Sequence, residues 1–305
     1  MNSSVIVLFS GQGAQKVGMG LDYFEQEPLA KPYFDKAREV LGEEFIKVLF
    51  EGPAEELTRT SYCQPALYLH GYVTLQLLKA KFPELNIVGA AGLSLGEFTA
   101  HAAAGTFSFE QGLSIVAKRG ALMEEACLNT AGTMAAMIGG EVAVIEQLAA
   151  DCGVDVANYN APGQIVLSGT KEGITKAVGL AKERGVRMAK ELQVAGAYHS
   201  QLMLSAQKGL AKVLEDEVLS EPQMPVISNF STEKPHVAAD IKADLVNQVT
   251  GSVRWSQSML KLIEEGQQNF LELGPGKVIS GLMGRTDKSV QIQAIETLAD
   301  FDNLS

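Results

Sequence analysis

Residues Ile87 to Ala91 form a short apolar run, Glu97 to Ala104 a small-residue helical stretch, and between them stands Gly92-Leu93-Ser94-Leu95-Gly96. The order reads as strand, sharp turn, helix, so the chain must supply a buried strand whose end opens straight into a helix. That is the working unit of an α/β sheet. Glycines two before and two after a serine let the backbone turn tightly and leave the hydroxyl unobstructed, as a nucleophile elbow requires. The helix beginning at the serine adds unpaired N–H groups and a positive dipole end where an oxyanion could develop. The same five-residue pattern also arises by chance in a chain with 30 glycines, and only its strand-turn-helix context favours Ser94 as a nucleophile.

The neighbouring segments repeat the alternation. Val5 to Phe9 reads as a buried strand, Ser10 to Gly13 as a glycine-rich turn, and Phe34 to Leu41, Ala66 to Lys81 and Glu110 to Cys127 as helices. Strands alternating with helices predict a parallel sheet covered on both faces.

From Thr130 the rhythm changes. Thr133 to Ile138, Val154 to Asn158, Gln164 to Ser168 and Val186 to Leu192 read as strands, with helices at Glu141 to Cys152 and Lys171 to Arg184. The order β-α-β-β-α-β is the ferredoxin-like pattern. A complete unit of roughly sixty residues predicts a small domain over 131–196 inserted into a large one formed by 1–130 and 197–305, with Gly132 and Gly196 near the hinges. Beyond it, Ser200 to Val218, Ala239 to Val249 and Trp255 to Gly266 read as helices, and Met224 to Ser228, Gln268 to Leu273 and Val290 to Ile295 as strands. A cleft between two domains is a usual place for a ligand.

Composition narrows the function classes. With 46% hydrophobic and 20% charged residues the 305-residue chain can bury a large core. Met1 to Ser4 lacks a basic segment, Val5 to Phe9 is too short for a signal sequence, and no stretch approaches a membrane span, so cytoplasmic residence and no membrane partner are expected. The net charge of −11 disfavours nucleic acid, whose phosphates need a basic face. Cys63, Cys127 and Cys152 are odd in number and lack CxxC spacing, which suggests neither a disulfide framework nor a zinc site.

A serine nucleophile needs a base, and the chain has four histidines. His101 is seven residues along the same helix, roughly 10 Å from Ser94 at 1.5 Å per residue. His70 sits within a helical stretch as a structural polar residue, and His236 follows Lys234-Pro235 in a polar loop. His199, in Val194-Ala195-Gly196-Ala197-Tyr198-His199-Ser200, stands at the inferred domain junction among small residues. The residues alone leave it equally a base or a helix-capping histidine. No acid stands in a recognisable third position.

Seven segments together carry a resemblance. They are Phe9-Ser10-Gly11-Gln12-Gly13-Ala14-Gln15, Gly92-Leu93-Ser94-Leu95-Gly96-Glu97, Ala117-Lys118-Arg119-Gly120, Asn158-Tyr159-Asn160-Ala161-Pro162-Gly163-Gln164, Gly196-Ala197-Tyr198-His199-Ser200, Asn247-Gln248 with Val253-Arg254-Trp255, and Glu272-Leu273-Gly274-Pro275-Gly276. In this order they resemble the malonyl-CoA:acyl carrier protein transacylases, which load malonyl groups for fatty acid and polyketide synthesis. The resemblance covers nearly the whole chain. It implies a hydrolase-like α/β domain with a ferredoxin-like insert, Ser94 as nucleophile and His199 as base, and a histidine oriented by a backbone carbonyl near Gln248 rather than by an acid. The backbone N–H groups of Gln12 and Leu95 would form the oxyanion hole, each such donor worth about 3 kcal/mol. Substrate-binding roles are implied for Arg119, Gln248, Asn160 and Tyr198.

Arg119 would meet the free carboxylate of a malonyl group with two parallel hydrogen bonds. Without the resemblance it reads as pairing with a carboxylate on its own helix. The family often has proline where Ser10 stands, histidine where Leu93 stands and phenylalanine where Tyr198 stands. Leu93 makes the wall beside Ser94 more apolar, and the Tyr198 ring would still crowd a methyl branch at malonyl C2. The resemblance further implies malonyl-CoA and acyl carrier protein as partners, no metal or other cofactor, and a monomer. Carrier proteins being acidic, Lys182, Arg184, Arg187 and Lys190 form a candidate docking patch, although such charges also serve simply as a solvated face. A serine esterase or thioesterase, and a non-catalytic carrier-docking module, are the competing readings.

Overall fold

The computed structural model describes residues 4–304, so the reading of Met1 to Ser4 rests on three residues outside them. Eight strands run through the described residues: β1 Val5–Phe9, β2 Ile87–Gly92, β3 Gly132–Ile138, β4 Asp155–Ala161, β5 Gln164–Thr170, β6 Met188–Glu191, β7 Asn269–Leu273 and β8 Gln291–Ile295. They form two sheets, one in the order β2-β1-β7-β8 and the other in the order β4-β5-β3-β6. The first is parallel throughout. The second is antiparallel throughout.

The apolar run of β1 is explained by its central place. All five side chains are buried, and successive ones point to opposite faces of the sheet. Val5, Val7 and Phe9 join the larger core with Tyr68, Leu69 and Phe98, whereas Ile6 and Leu8 pack with Trp255, Met259 and Ile279. Each such side chain contributes about 1.5–3 kcal/mol. The long helices Thr60–Lys81 and Phe109–Asn129 cover the first face.

Between Gly132 and Glu191 the element order is strand, helix, strand, strand, helix, strand, with helices Val142–Cys152 and Lys171–Ala181. Ala135, Met137, Ile165 and Leu167 face these helices in a core of their own, while Met134 and Val166 face the other way, into the larger core. Strand β4 is tied to the segment before the helix Trp255–Glu264, where Tyr159 N donates to Val253 O at 2.9 Å and Val253 N to Ala157 O at 2.8 Å.

Several expectations need correction. Met224 to Ser228 is not a strand: only Val226 bridges Ala90. Pro225 lacks an N–H, and Ser228 N turns away to Glu233 O. The helix expected from Ser200 begins as a 3-10 turn, Gln201–Met203, capped by the Ser200 side chain, and continues as Leu204–Glu215. The helix Val278–Thr286 was not legible behind Gly274-Pro275-Gly276. Gly132 and Gly196 mark close approaches: a Cβ on the first would lie 2.6 Å from Ala197 Cβ, and on the second 2.3 Å from Cys127 Sγ.

Among the described residues no helix is long and apolar enough to cross a membrane. Cys63, Cys127 and Cys152 are all free thiols.

Candidate active site

The site lies at the carboxyl ends of β1 and β2, the usual ligand position in a parallel sheet. After Gly92 the chain reverses through Ser94, at φ 53° and ψ −105°, into the helix Leu95–Ala103. The glycines on either side are obligatory. A Cβ on Gly92 would lie 1.9 Å from the carbonyl carbon of Gly96, and one on Gly96 2.2 Å from Phe9 O. A non-glycine residue at positive φ costs about 1–3 kcal/mol and persists only when its surroundings over-determine it. Here Leu93 N donates to Phe9 O at 3.0 Å, Ser94 N to Asn229 Oδ1 at 2.7 Å, and Gln248 Nε2 to Ser94 O at 3.1 Å.

His199, also at positive φ (55°), brings its ring to the serine. Its Nε2 stands 2.8 Å from Ser94 Oγ, and its Nδ1 2.8 Å from Gln248 O. A carbonyl can only accept, so Nδ1 carries the proton and Nε2 presents a lone pair to the hydroxyl. Burial, with Arg119 adding to it, pushes the imidazole pKa down to about 4. The ring is therefore neutral near pH 7 and competent as a base.

Arg119 is buried, which removes the reading of a surface pair on its own helix. Nη1 donates to Gln64 Oε1 at 2.6 Å, and Nη2 to both Gln248 Oε1 at 2.9 Å and Ser94 Oγ at 3.2 Å. Its Nε has no partner among the described residues, and the guanidinium lies over the Phe98 ring, 5.1 Å from the centroid. Burial lowers its pKa to about 10, opposed by Glu97, so it remains a cation. Its hydrogen-bond partners among the described residues are all neutral, and Glu97 reaches it only across Gln248, so no carboxylate pairs with it directly.

A cavity of about 330 Å³ opens onto the serine, lined among others by Gln12, Leu95, Asn160, Tyr198 and His199. Arg119 meets it through Ser94 and Gln64, which both line it. The backbone N–H groups of Gln12 and Leu95 have no hydrogen-bond partner among the described residues. Tyr198 Oη is paired with Thr60 Oγ1 at 2.6 Å and accepts from Gln12 Nε2 at 3.2 Å. Its buried phenol is driven above the ordinary tyrosine range by desolvation. Asn160 Oδ1 is buried without a partner among the described residues.

The other histidines stay out of the site. His70 Nε2 pairs with Glu296 O at 3.0 Å and His101 Nδ1 with Thr106 Oγ1 at 3.1 Å. Burial lowers the first to about 4 and the second to about 3. His236 is exposed. Lys182, Arg184, Arg187 and Lys190 are exposed on the antiparallel-sheet unit, Arg184 pairing with Asp151 at 2.8 Å. None of the four lines the cavity.

Three contributors escaped sequence reasoning: Gln64, Glu97 and Asn229. The one available signal was Glu97, a lone carboxylate in an otherwise small and apolar helix. Asn229 and Gln64 carried none.

Residues 6–300 match the acyl transferase domain family. The chain is 42% identical over 300 residues to the malonyl CoA-acyl carrier protein transacylase of Bacillus subtilis (strain 168), covering 96% of this chain and 93% of that protein. Identity to the Haemophilus influenzae (strain ATCC 51907 / DSM 11121 / KW20 / Rd) protein of the same name is 34%, covering 97% and 96%. Among solved structures, the acyl carrier protein S-malonyltransferase of Vibrio cholerae O1 biovar eltor superposes with a TM-score of 0.95 at 35% identity, covering 99% of this chain and 100% of that one. A malonyl-transacylase in complex with its type II PKS acyl-carrier protein superposes at 0.94 with 33% identity, covering 99% and 98%.

Proposed function

The chain belongs to the acyl transferase family whose members include the malonyl CoA-acyl carrier protein transacylases, and we propose that it moves a malonyl group from malonyl-CoA to the phosphopantetheine thiol of an acyl carrier protein. One observation carries the choice of acyl group. Arg119 is a buried cation, bonded only to neutral groups, in contact with the nucleophile. An uncharged acyl group would leave that cation without a directly bonded anion, whereas a malonyl carboxylate supplies one with paired hydrogen bonds.

The reaction is a ping-pong transfer. Ser94 Oγ gives its proton to His199 Nε2 and bonds to the thioester carbonyl carbon, whose oxygen becomes an anion held by the N–H groups of Gln12 and Leu95. The C–S bond then breaks, and His199 returns the proton to the departing CoA sulfur. That leaves a malonyl ester on Ser94. In the second half His199 deprotonates the carrier thiol, which attacks the ester, and Ser94 leaves and recovers the proton. Gln248 O holds the histidine tautomer throughout, in the place an acid takes in other triads. Asn160, on the cavity wall, contacts substrate, and Tyr198 restricts the space at malonyl C2; Gln248, expected to bind substrate, is instead fully buried off the cavity and acts on substrate through Arg119.

We assign 1–130 and 197–305 to the hydrolase-like unit and 131–196 to the ferredoxin-like one, with the reaction between them. The protein acts as a cytoplasmic monomer, in fatty acid or polyketide synthesis.

Mass spectrometry of the protein mixed with malonyl-CoA, methylmalonyl-CoA and acetyl-CoA in competition tests the reading. A malonyl adduct on Ser94, discharged by holo-carrier protein, is expected. An adduct elsewhere, or none, refutes it. Discharge to water as fast as to carrier protein would instead make the chain an esterase or thioesterase.

A further inference from the structure

Glu97 is fully buried on the helix that begins at the nucleophile. Its Oε2 accepts two hydrogen bonds, from Asn229 N at 3.0 Å and from Gln248 Nε2 at 2.6 Å. These two donors in turn reach the elbow, the base and the guanidinium. Asn229 Oδ1 accepts from Ser94 N at 2.7 Å, and Asn229 Nδ2 donates to Gly92 O at 2.8 Å. Gln248 contacts Ser94 O with its amide nitrogen, Arg119 with its amide oxygen and His199 with its main-chain carbonyl.

We propose that Glu97 is the positioning residue of the site: one carboxylate oxygen sets Gln248 and Asn229, and through them the elbow, the base and the guanidinium. The inference rests on the nucleophilic role given to Ser94 above. Two features specify the mode of action. Gln248 turns its oxygen to Arg119 while its nitrogen faces acceptors, and Glu97 Oε2, at 2.6 Å against 3.1 Å for Ser94 O, is the nearer of the two. Glu97 Oε1, by contrast, is buried with no partner among the described residues. Burial raises the carboxyl pKa to about 7, the bonds from Asn229 and Gln248 opposing it. Both donors converge on Oε2, so what the two bonds require is an oxygen in that place, which a carboxamide also supplies.

Placement and charge separate in three variants. Glu97→Gln keeps an acceptor in the same place and loses the charge; Glu97→Asp keeps a carboxylate but draws it back by one methylene; Glu97→Ala removes both. The readouts are the p-nitrophenol burst from p-nitrophenyl acetate and malonyl transfer to carrier protein, each per titrated serine, with thermal melting alongside. E97Q should stay within about threefold of wild type, whereas E97D and E97A should slow by about tenfold or more, as misplacement by around 1 Å does. E97D acting like wild type, or all three variants reacting at the wild-type rate per titrated serine, overturns the inference. If wild type gives the burst but no malonyl transfer, the proposed function fails while the Glu97 comparison still stands on the burst.

Discussion

The guanidinium of Arg119 donates to the hydroxyl of Ser94 across 3.2 Å. Ser94 Oγ thus sits between a cation and the lone pair of His199 Nε2. The first disperses negative charge as it develops on oxygen, and the second removes the proton. In a malonyl ester of Ser94 the free carboxylate lies only three bonds beyond the serine oxygen. The same guanidinium can therefore serve nucleophile and substrate.

Arg119→Ala should lower kcat/KM for malonyl-CoA by about 10²–10³-fold, the range for leaving one member of a buried charge pair alone, and that for acetyl-CoA far less. Arg119→Lys should recover little, because an ammonium lacks the planar fork. Equal losses on both thioesters would mean that Arg119 acts on Ser94 alone and not on the malonyl carboxylate.

Tyr198→Phe keeps the ring and removes the hydroxyl that joins Thr60 and Gln12. Stability should fall by about 1 kcal/mol, with rejection of methylmalonyl-CoA unchanged. Tyr198→Ala should admit the methyl branch. Competition between the two thioesters, scored on Ser94, decides; unchanged selectivity in Tyr198→Ala would remove the ring from the specificity argument.

Acid should destabilise the protein earlier than its carboxylates alone would. Folded His70 and His199 titrate near pH 4 and His101 near pH 3, against about 6.5 when unfolded. Unfolding therefore takes up protons on all three as pH falls below about 6.5, and stability drops. Glu97, raised to about 7, binds its proton in the folded state first and offsets one of the three. The net slope toward pH 4.5 is about 2–3 kcal/mol per pH unit. Urea titrations at pH 7.5, 6 and 5 measure it, and a flat profile would contradict the buried neutral imidazoles.

Lys182 and Lys190 are the better probes of carrier docking, since Arg184 is already committed to Asp151 and Arg187 lies against Gly139. Reversing both lysines to glutamate should raise KM for carrier protein and spare KM for malonyl-CoA. Unchanged kinetics would dismiss the patch.

Much of the architecture could be read in advance because it is written at short range. The alternation of β3 and β5 side chains between two cores, the unbroken burial of β1 and the glycines around Ser94 are each set by neighbours within a few residues. Where the reading slipped, a nearby group outcompeted the pattern: Pro225 broke a strand, and the Ser200 hydroxyl capped a 3-10 turn before a helix.

The site divides along the same line. From the residues alone came a serine made to project, a histidine placed at a junction, and the failure to find an acid. Motif resemblance added Arg119 and the carbonyl near Gln248. Tertiary structure alone decided that one glutamine meets the base with its backbone and the cation with its side chain, 49 and 129 residues away along the chain. Asn229 and Glu97 meet across 132 residues. Periodicity records which face of a local element is buried, but it carries no information about which distant turns converge. That convergence is produced by the packing of whole sheets and helices, and the catalytic distances exist only once that packing is complete.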